Sequence, residues 1–386
     1  MAKAPQVITC KAAVCWGVGG PVKIEEVEVE PPRPSEIRVK MLCASICRTD
    51  ILCINGFPTG LYPRVLGHEG VGELKKNSVV ESLGEEVKDL QVGDTVIPTT
   101  LGECGECGSC ESGRTNFCQK YPIGATGLMP DGTSRFTVRE GNKRTPAYQF
   151  LSCATWCEYM VVDANYAVKI DAGSIPPPQA SIISCAFTSG YGATWKAAPV
   201  TVGSSVAVFG LGPVGLSAVQ GARMHGAAKI IGVDKNERRR KIASELGVTH
   251  FINSEGLEKP VSEVVKELTD GKGVDACFEC SGYAPFMNQA MKAVVQGKGK
   301  AVVLGAGKYD SIQLDFVDLL FGGSITGSIF GGVKIKSDLP HLLHKCQNKE
   351  FEIDALLTHE VPLCDINKAF EMMKEPDCIK VVVKIS

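Results

Sequence analysis

The stretch VAVFGLGPVG, Val206 to Gly215, runs an apolar strand into three glycines and a proline, and then into the helical pattern PVGLSAVQGARM. Glycines at 210, 212 and 215 let a backbone pass close to a pyrophosphate held at a helix N-terminus, whose dipole favours anions. A second apolar strand, KIIGVD, ends at Asp234, nineteen residues beyond Gly215. A carboxylate at that point binds ribose hydroxyls and repels a 2′-phosphate. Gly210, Gly212, Pro213, Val214, Gly215 and Asp234 are therefore candidate contacts for NAD in preference to NADP. The basic run Lys235, Arg238, Arg239 and Arg240 argues in the other direction.

Strand and helix patterns continue to alternate to about residue 330, through HFIN, VSEVVKELTD, GVDACFEC, KAVVLGAG and SITGSIFGG. This alternation predicts a doubly wound parallel sheet. Residues 1 to about 185 read differently. Short β-rich runs (KAAVCW, VKIEEVEV, EIRVKML, GDTVIP, CEYMVV and YAVKI) are divided by Gly, Pro and Asp turns. With 386 residues, two domains are expected, and the closing strand KVVVKIS belongs with the first.

A net charge of −2 offers no electrostatic case for nucleic acid or an anionic membrane as partner. No apolar run approaches the ~18 residues of a membrane span, and MAKAPQVITCK has no secretory core. The expected location is the cytoplasm. Seventeen cysteines, an odd number, do not suit a full disulfide framework there.

Metal thiolates explain them better. Cys104, Cys107, Cys110 and Cys118 follow one another with gaps of two, two and seven. Four thiolates on one Gly-rich loop close a tetrahedron around a structural zinc, and an iron–sulfur cluster is the rival reading. Cys47, His68 and Cys185 form a second set, two sulfurs and one nitrogen with a fourth position open, as in a catalytic zinc site. Asp50 is placed to orient His68, and Glu69 to support or replace a ligand.

ICRTD, GHEGVG, the four-cysteine lobe, SCAFTSGYGA, FGLGPVG and GVD, in that order, resemble the zinc-dependent medium-chain alcohol dehydrogenases, and within them a divergent plant branch that includes hydroxynitrile lyases. The resemblance implies an α/β fold in which a GroES-like catalytic domain (1–186 and 330–386) with two zinc sites is interrupted by a Rossmann NAD-binding domain (187–329). It implies a homodimer acting on a small-molecule substrate. It also implies that Thr49 touches the substrate hydroxyl, that Arg48 and Lys380 meet the pyrophosphate, and that Arg239 lies with Asp234 at the adenosine ribose. Three departures stand out: Leu52 replaces a proton-relaying histidine, Lys380 replaces an arginine, and ELKKNS (73–78) reads as an inserted polar loop.

Leu52 separates two chemistries. A dehydrogenase sends a proton to water and a hydride to NAD. A hydroxynitrile lyase keeps the proton in the site. The zinc-stabilised alkoxide of a small aliphatic cyanohydrin, of the acetone cyanohydrin type, expels cyanide to leave a ketone or aldehyde, and NAD is bound but not consumed. The resemblance favours the lyase, with NAD-dependent alcohol oxidation as the alternative and a non-catalytic NAD-binding sensor as a distant third.

Overall fold

The computed structural model describes residues 6–58, 60–74, 83–171, 173–307 and 311–385. It divides into one unit of Met1–Cys185, Lys334–Glu350 and Leu357–Ser386, and a second of Ala186–Val333 and Phe351–Leu356. The expected boundaries shift by one residue at the first crossing and four at the second. The segment Phe351–Leu356 returns to the second unit for a physical reason. The Phe351 ring packs edge-on to Phe187 and Tyr191, and Glu352 N–H donates to Gln220 Oε1 at 2.9 Å.

In the first unit each of the six β-rich runs becomes a strand. Strand β1, Glu36–Ser45, is the hub of the larger sheet. It pairs antiparallel with β2, Glu69–Glu73, with Tyr159–Asp163, and with the C-terminal strand Val381–Lys384. A five-stranded sheet carries Ile8–Cys15 and Val22–Val29 in its interior. The inward Val, Ile, Met and Phe side chains of both sheets form one core with Trp156 and Phe150, both fully buried. Val22–Val29 keeps its lysine and glutamates out of the core, whereas β1 and β2 are buried along nearly their whole length, as strands covered on both faces are.

The stretch ELKKNS departs from its expected role as a loop. Glu73 is the last residue of β2, opposite Lys40 and Thr95, and Leu74 is fully buried. Lys75 to Ser78 lie outside the described residues.

The second unit is a six-stranded parallel sheet. Its strands are β3 (Ser205–Phe209), β4 (Lys229–Asp234), β5 (His250–Asn253), β6 (Ala276–Glu279), β7 (Lys300–Val303) and β8 (Ile325–Gly327). Their order is β5-β4-β3-β6-β7-β8. The chain winds outward from β3 in one direction, then returns to β6 on its other side, so the crevice at the carboxyl ends of β3 and β6 is the switch point where ligands bind in such sheets.

One buried ion pair ties the first unit together. Arg135 is fully buried, and its Nε donates to Glu36 Oε2 at 2.8 Å while Nη2 reaches Asp131 at 2.7 Å. Arg135→Met leaves the buried Glu36 carboxylate without its cation. We expect a loss of about 3–5 kcal/mol in urea unfolding; an unchanged midpoint would show that Glu36 finds another partner.

Candidate active site

Gly67 turns the chain at φ 90°, where a Cβ would stand 2.4 Å from the Trp156 ring, so only glycine fits. That turn delivers His68 just before β2. Cys47 precedes helix α1, Arg48–Ile54, and donates its own N–H to Asp50 Oδ2 at 2.9 Å. The other Asp50 oxygen lies 2.9 Å from His68 Nδ1. With a carboxylate as partner, Nδ1 carries the proton and Nε2 is left as an electron-pair donor. Asp50 thus meets both Cys47 and His68 from a fully buried position.

Cys185 sits within a π-helical turn, Ile183–Phe187, an irregularity common at functional sites. The neighbouring Ser184 hydroxyl accepts Gly70 N–H at 3.0 Å and donates to Ser181 O at 2.6 Å, which fastens this turn to β2. The donor atoms of Cys47, His68, Glu69 and Cys185 then all lie within 4.8 Å of one another. His68 and Glu69 are buried, while the two cysteines are half-buried, so the cluster has an accessible side.

Glu69 decides whether a cation fits. Its Oε2 is taken by the Ser45 hydroxyl and the Lys380 ammonium, but Oε1, fully buried, has no hydrogen-bond partner. A buried acceptor left unmade is costly. Two sulfurs, an imidazole nitrogen and a carboxylate oxygen are a donor set that suits zinc. The thiol of Cys47 is held well below its ordinary value by a hydrogen bond with Cys185 and by the charges of His68 and Lys380, which outweigh burial. Lys380, which the resemblance puts at a pyrophosphate, pairs its buried ammonium with Glu69. Burial opposes its charge, but the Glu69 carboxylate and Cys47 thiolate keep it protonated.

The Thr49 hydroxyl is 3.5 Å from Cys47 Sγ, and Arg48 is exposed at the first turn of α1. Leu52 is 9% exposed and offers no polar side-chain atom. The sequence reading missed Ser45 and Ser184. Neither belongs to a pattern, and only the folding of β1 against β2 and the 177–187 helix gives them a role.

The four-cysteine lobe surrounds a short helix, Gly108–Glu111. Its sulfurs lie within 4.8 Å of one another, with Cys104–Cys110 and Cys107–Cys118 separations of 3.9 Å. Thiolates about 2.3 Å from a central ion define a tetrahedron with edges of about 3.8 Å. That match favours a single metal ion over an iron–sulfur cluster, whose thiolates bind separate irons and stand farther apart. Backbone N–H groups of Cys110 and Gln119 hold the Cys107 thiol down to about 6. Lys336 N–H and the Ser337 hydroxyl bond the buried Glu103, at 2.7 and 2.9 Å, and so anchor the start of the lobe.

In the second unit, helix α2, Pro213–Met224, starts directly after Gly212 with proline in its first turn. A Cβ on Gly215 would come within 1.9 Å of Gly210 O, while nothing lies within 4 Å above Gly212. The glycine at 215 serves close packing of helix on strand, and the one at 212 leaves open approach to backbone N–H groups, including that of Val214. Asp234, at the end of β4, accepts Leu211 N–H at 2.7 Å and Asn236 N–H at 2.9 Å. It therefore holds the glycine turn in place, with one lone pair on each oxygen left for a ribose hydroxyl. Arg239 is half-buried in the first turn of the helix Arg239–Leu246. These features fit a dinucleotide.

Two family models match the chain, the alcohol dehydrogenase GroES-like domain over residues 33–172 and the zinc-binding dehydrogenase domain over 213–348. A Catharanthus roseus protein named CYP enzymes assisting alcohol dehydrogenase is 56% identical, covering 98% of this chain and 100% of the relative. The aliphatic (R)-hydroxynitrile lyase of Linum usitatissimum is 47% identical over 98% of this chain and 96% of that one. Among solved structures, benzyl alcohol dehydrogenase from Acinetobacter calcoaceticus superposes with a TM-score of 0.87 at 30% identity, covering 98% and 100% of the two chains. The cysteine-rich GroES-like unit and the doubly wound unit together place this chain in the zinc-binding alcohol dehydrogenase family.

Proposed function

We propose that the protein is an NAD-dependent alcohol dehydrogenase with two zinc ions per chain, a catalytic one at Cys47, His68 and Cys185 and a structural one at Cys104, Cys107, Cys110 and Cys118. The observation that carries this reading is the half-open cluster of two sulfurs, one imidazole and one unpartnered carboxylate oxygen, with the Thr49 hydroxyl beside it. The order expected from the sequence, lyase before dehydrogenase, is reversed in this proposal. The dehydrogenase-named relative is more similar to this chain than the lyase, at 56% against 47%.

When bound, zinc supplies Lewis acidity to a substrate oxygen and NAD accepts a hydride. The chain does the rest. Asp50 holds His68 in one tautomer and one orientation. Thr49 takes the proton of the substrate hydroxyl, and since Leu52 cannot pass it on, the proton leaves to water from the half-exposed side of α1. Glu69, clamped by Lys380 and Ser45, supplies negative charge behind the cluster. In the second reading, favoured by Leu52 alone, Thr49 returns the same proton to a departing cyanide.

We further propose that a second copy of the chain covers the exposed apolar segment Phe316, Val317, Leu320 and Phe321, beside the edge strand β8. Four large side chains 59–73% exposed in one run form a patch of the kind that marks an interface. The cytoplasm, a reducing compartment, suits seventeen cysteines that are all free thiols.

Purified protein given primary and secondary alcohols with NAD should form NADH and release no cyanide from acetone cyanohydrin above the spontaneous rate. Accelerated cyanide release without NADH formation, lost on His68→Ala, would establish the lyase instead. Metal analysis should find two zinc ions per chain, falling to one in Cys107→Ser. Asp50→Asn should release the catalytic ion to a chelator about 10–100-fold more readily; equal retention would remove Asp50 from its orienting role. Leu320→Lys should convert the dimer to a monomer in light scattering, and an unchanged mass would place the interface elsewhere.

A further inference from the structure

Glu279 closes β6 at the switch point of the second unit, directly opposite Phe209 of β3. It is fully buried, and among the described residues no ion pair includes it. Such a charge is costly to hold in a core. It is answered instead by a ring of donors from one loop. Ser281 N–H donates to Oε1 at 2.8 Å, Gly282 N–H approaches both oxygens at 3.1 and 3.2 Å, and the Ser281 hydroxyl also donates to Oε1. Its backbone carbonyl accepts Leu304 N–H at 2.8 Å and Gly305 N–H at 3.0 Å, just past β7. Burial pushes the carboxyl pKa up, and the loop donors pull against it.

The loop that Glu279 gathers presses on the dinucleotide turn. A Cβ on Gly210 would meet Ser281 N and Cβ at 2.9 Å, so the first glycine of the motif exists to let Ser281 approach. A Cβ on Gly305 would stand 2.0 Å from Gly282 N and 2.8 Å from Glu279 Oε2. Three loops, after β3, β6 and β7, thus close around one carboxylate with no room for a side chain between them. Gly210 in turn bonds back to the sheet through Val233 O at 2.8 Å, so a shift of Ser281 is transmitted to the turn that would cradle the pyrophosphate.

We propose that Glu279 is the positioning residue of the dinucleotide site: its carboxylate sets Ser281 against Gly210 and so fixes the width of the crevice that takes NAD. The proposal rests on the reading of this unit as an NAD site. Glutamine at 279 keeps the shape but turns an NH2 group toward backbone donors, so the 281–283 loop must move away.

The test is titration of the full-length, zinc-loaded protein with NADH, followed by nucleotide fluorescence, together with its unfolding temperature without nucleotide. Glu279→Gln should weaken NADH binding about tenfold, with KM for NAD rising by more than kcat falls. Ser281→Ala, which removes one donor and leaves the carboxylate, should weaken it about threefold and decides the matter if the first variant does not fold. Unchanged dissociation constants in both, whether or not the unfolding temperature drops, would overturn the proposal and leave Glu279 a structural residue. If the unmodified protein bound no NADH, the proposed function itself would fall, and this inference with it.

Discussion

Crowded negative charge is the constraint around which the first unit is arranged. Cys47, Cys185, Asp50 and Glu69 bring two thiols and two carboxyls into one small volume, and among the described residues the geometry sets the Lys380 ammonium against Glu69 and the His68 ring against Asp50. In a low-dielectric interior such charges repel strongly unless cations are placed among them. A divalent ion held there would offset much of this charge and could satisfy the unpartnered Glu69 oxygen. Much of the local structure serves this arrangement. The left-handed turn at Gly67, the Cys47 position before α1 and the π-helical turn at Cys185 each spend local regularity to aim one donor.

Under the proposed function the second unit would handle the opposite problem, a surface open to an anion from outside. It carries few charges at the turn itself and relies on backbone N–H groups, with Asp234 bracing Leu211 from one side and Glu279 bracing Ser281 from the other. Two carboxylates thus hold the loops on either side of the glycine turn. Rigid support of this kind lets a glycine-rich turn, flexible by composition, present a fixed shape.

The lobe, by contrast, is proposed above to hold a structural ion. Its four sulfurs are spaced for one ion, which would tie the loop together where it bound. Hydrogen bonds from the Lys336 N–H and the Ser337 hydroxyl to Glu103 are among its ties to the rest of the first unit.

The two architectures, the six β-rich runs, both cysteine sets and the Gly210–Asp234 motif were legible in the sequence because each is written in local spacing. Period two, ligand gaps and glycine positions are properties of neighbouring residues. Even Asp50 was legible, three residues from Cys47 on a short helix. Other features were not, because they are made by contacts between distant segments. The pairing of the Lys380 ammonium with Glu69 is one, made when Val381–Lys384 joins β1 far from it in sequence. Phe351–Leu356 changed units through ring contacts that no pattern records. Glu73 and Leu74 looked like a polar insertion until strand pairing and burial claimed them. The candidate metal and dinucleotide residues were set by the sequence alone, as local spacing of cysteines and glycines. Which charges face one another, and so what each donor is free to do, was decided by the tertiary structure, because electrostatic partners are chosen by distance in space.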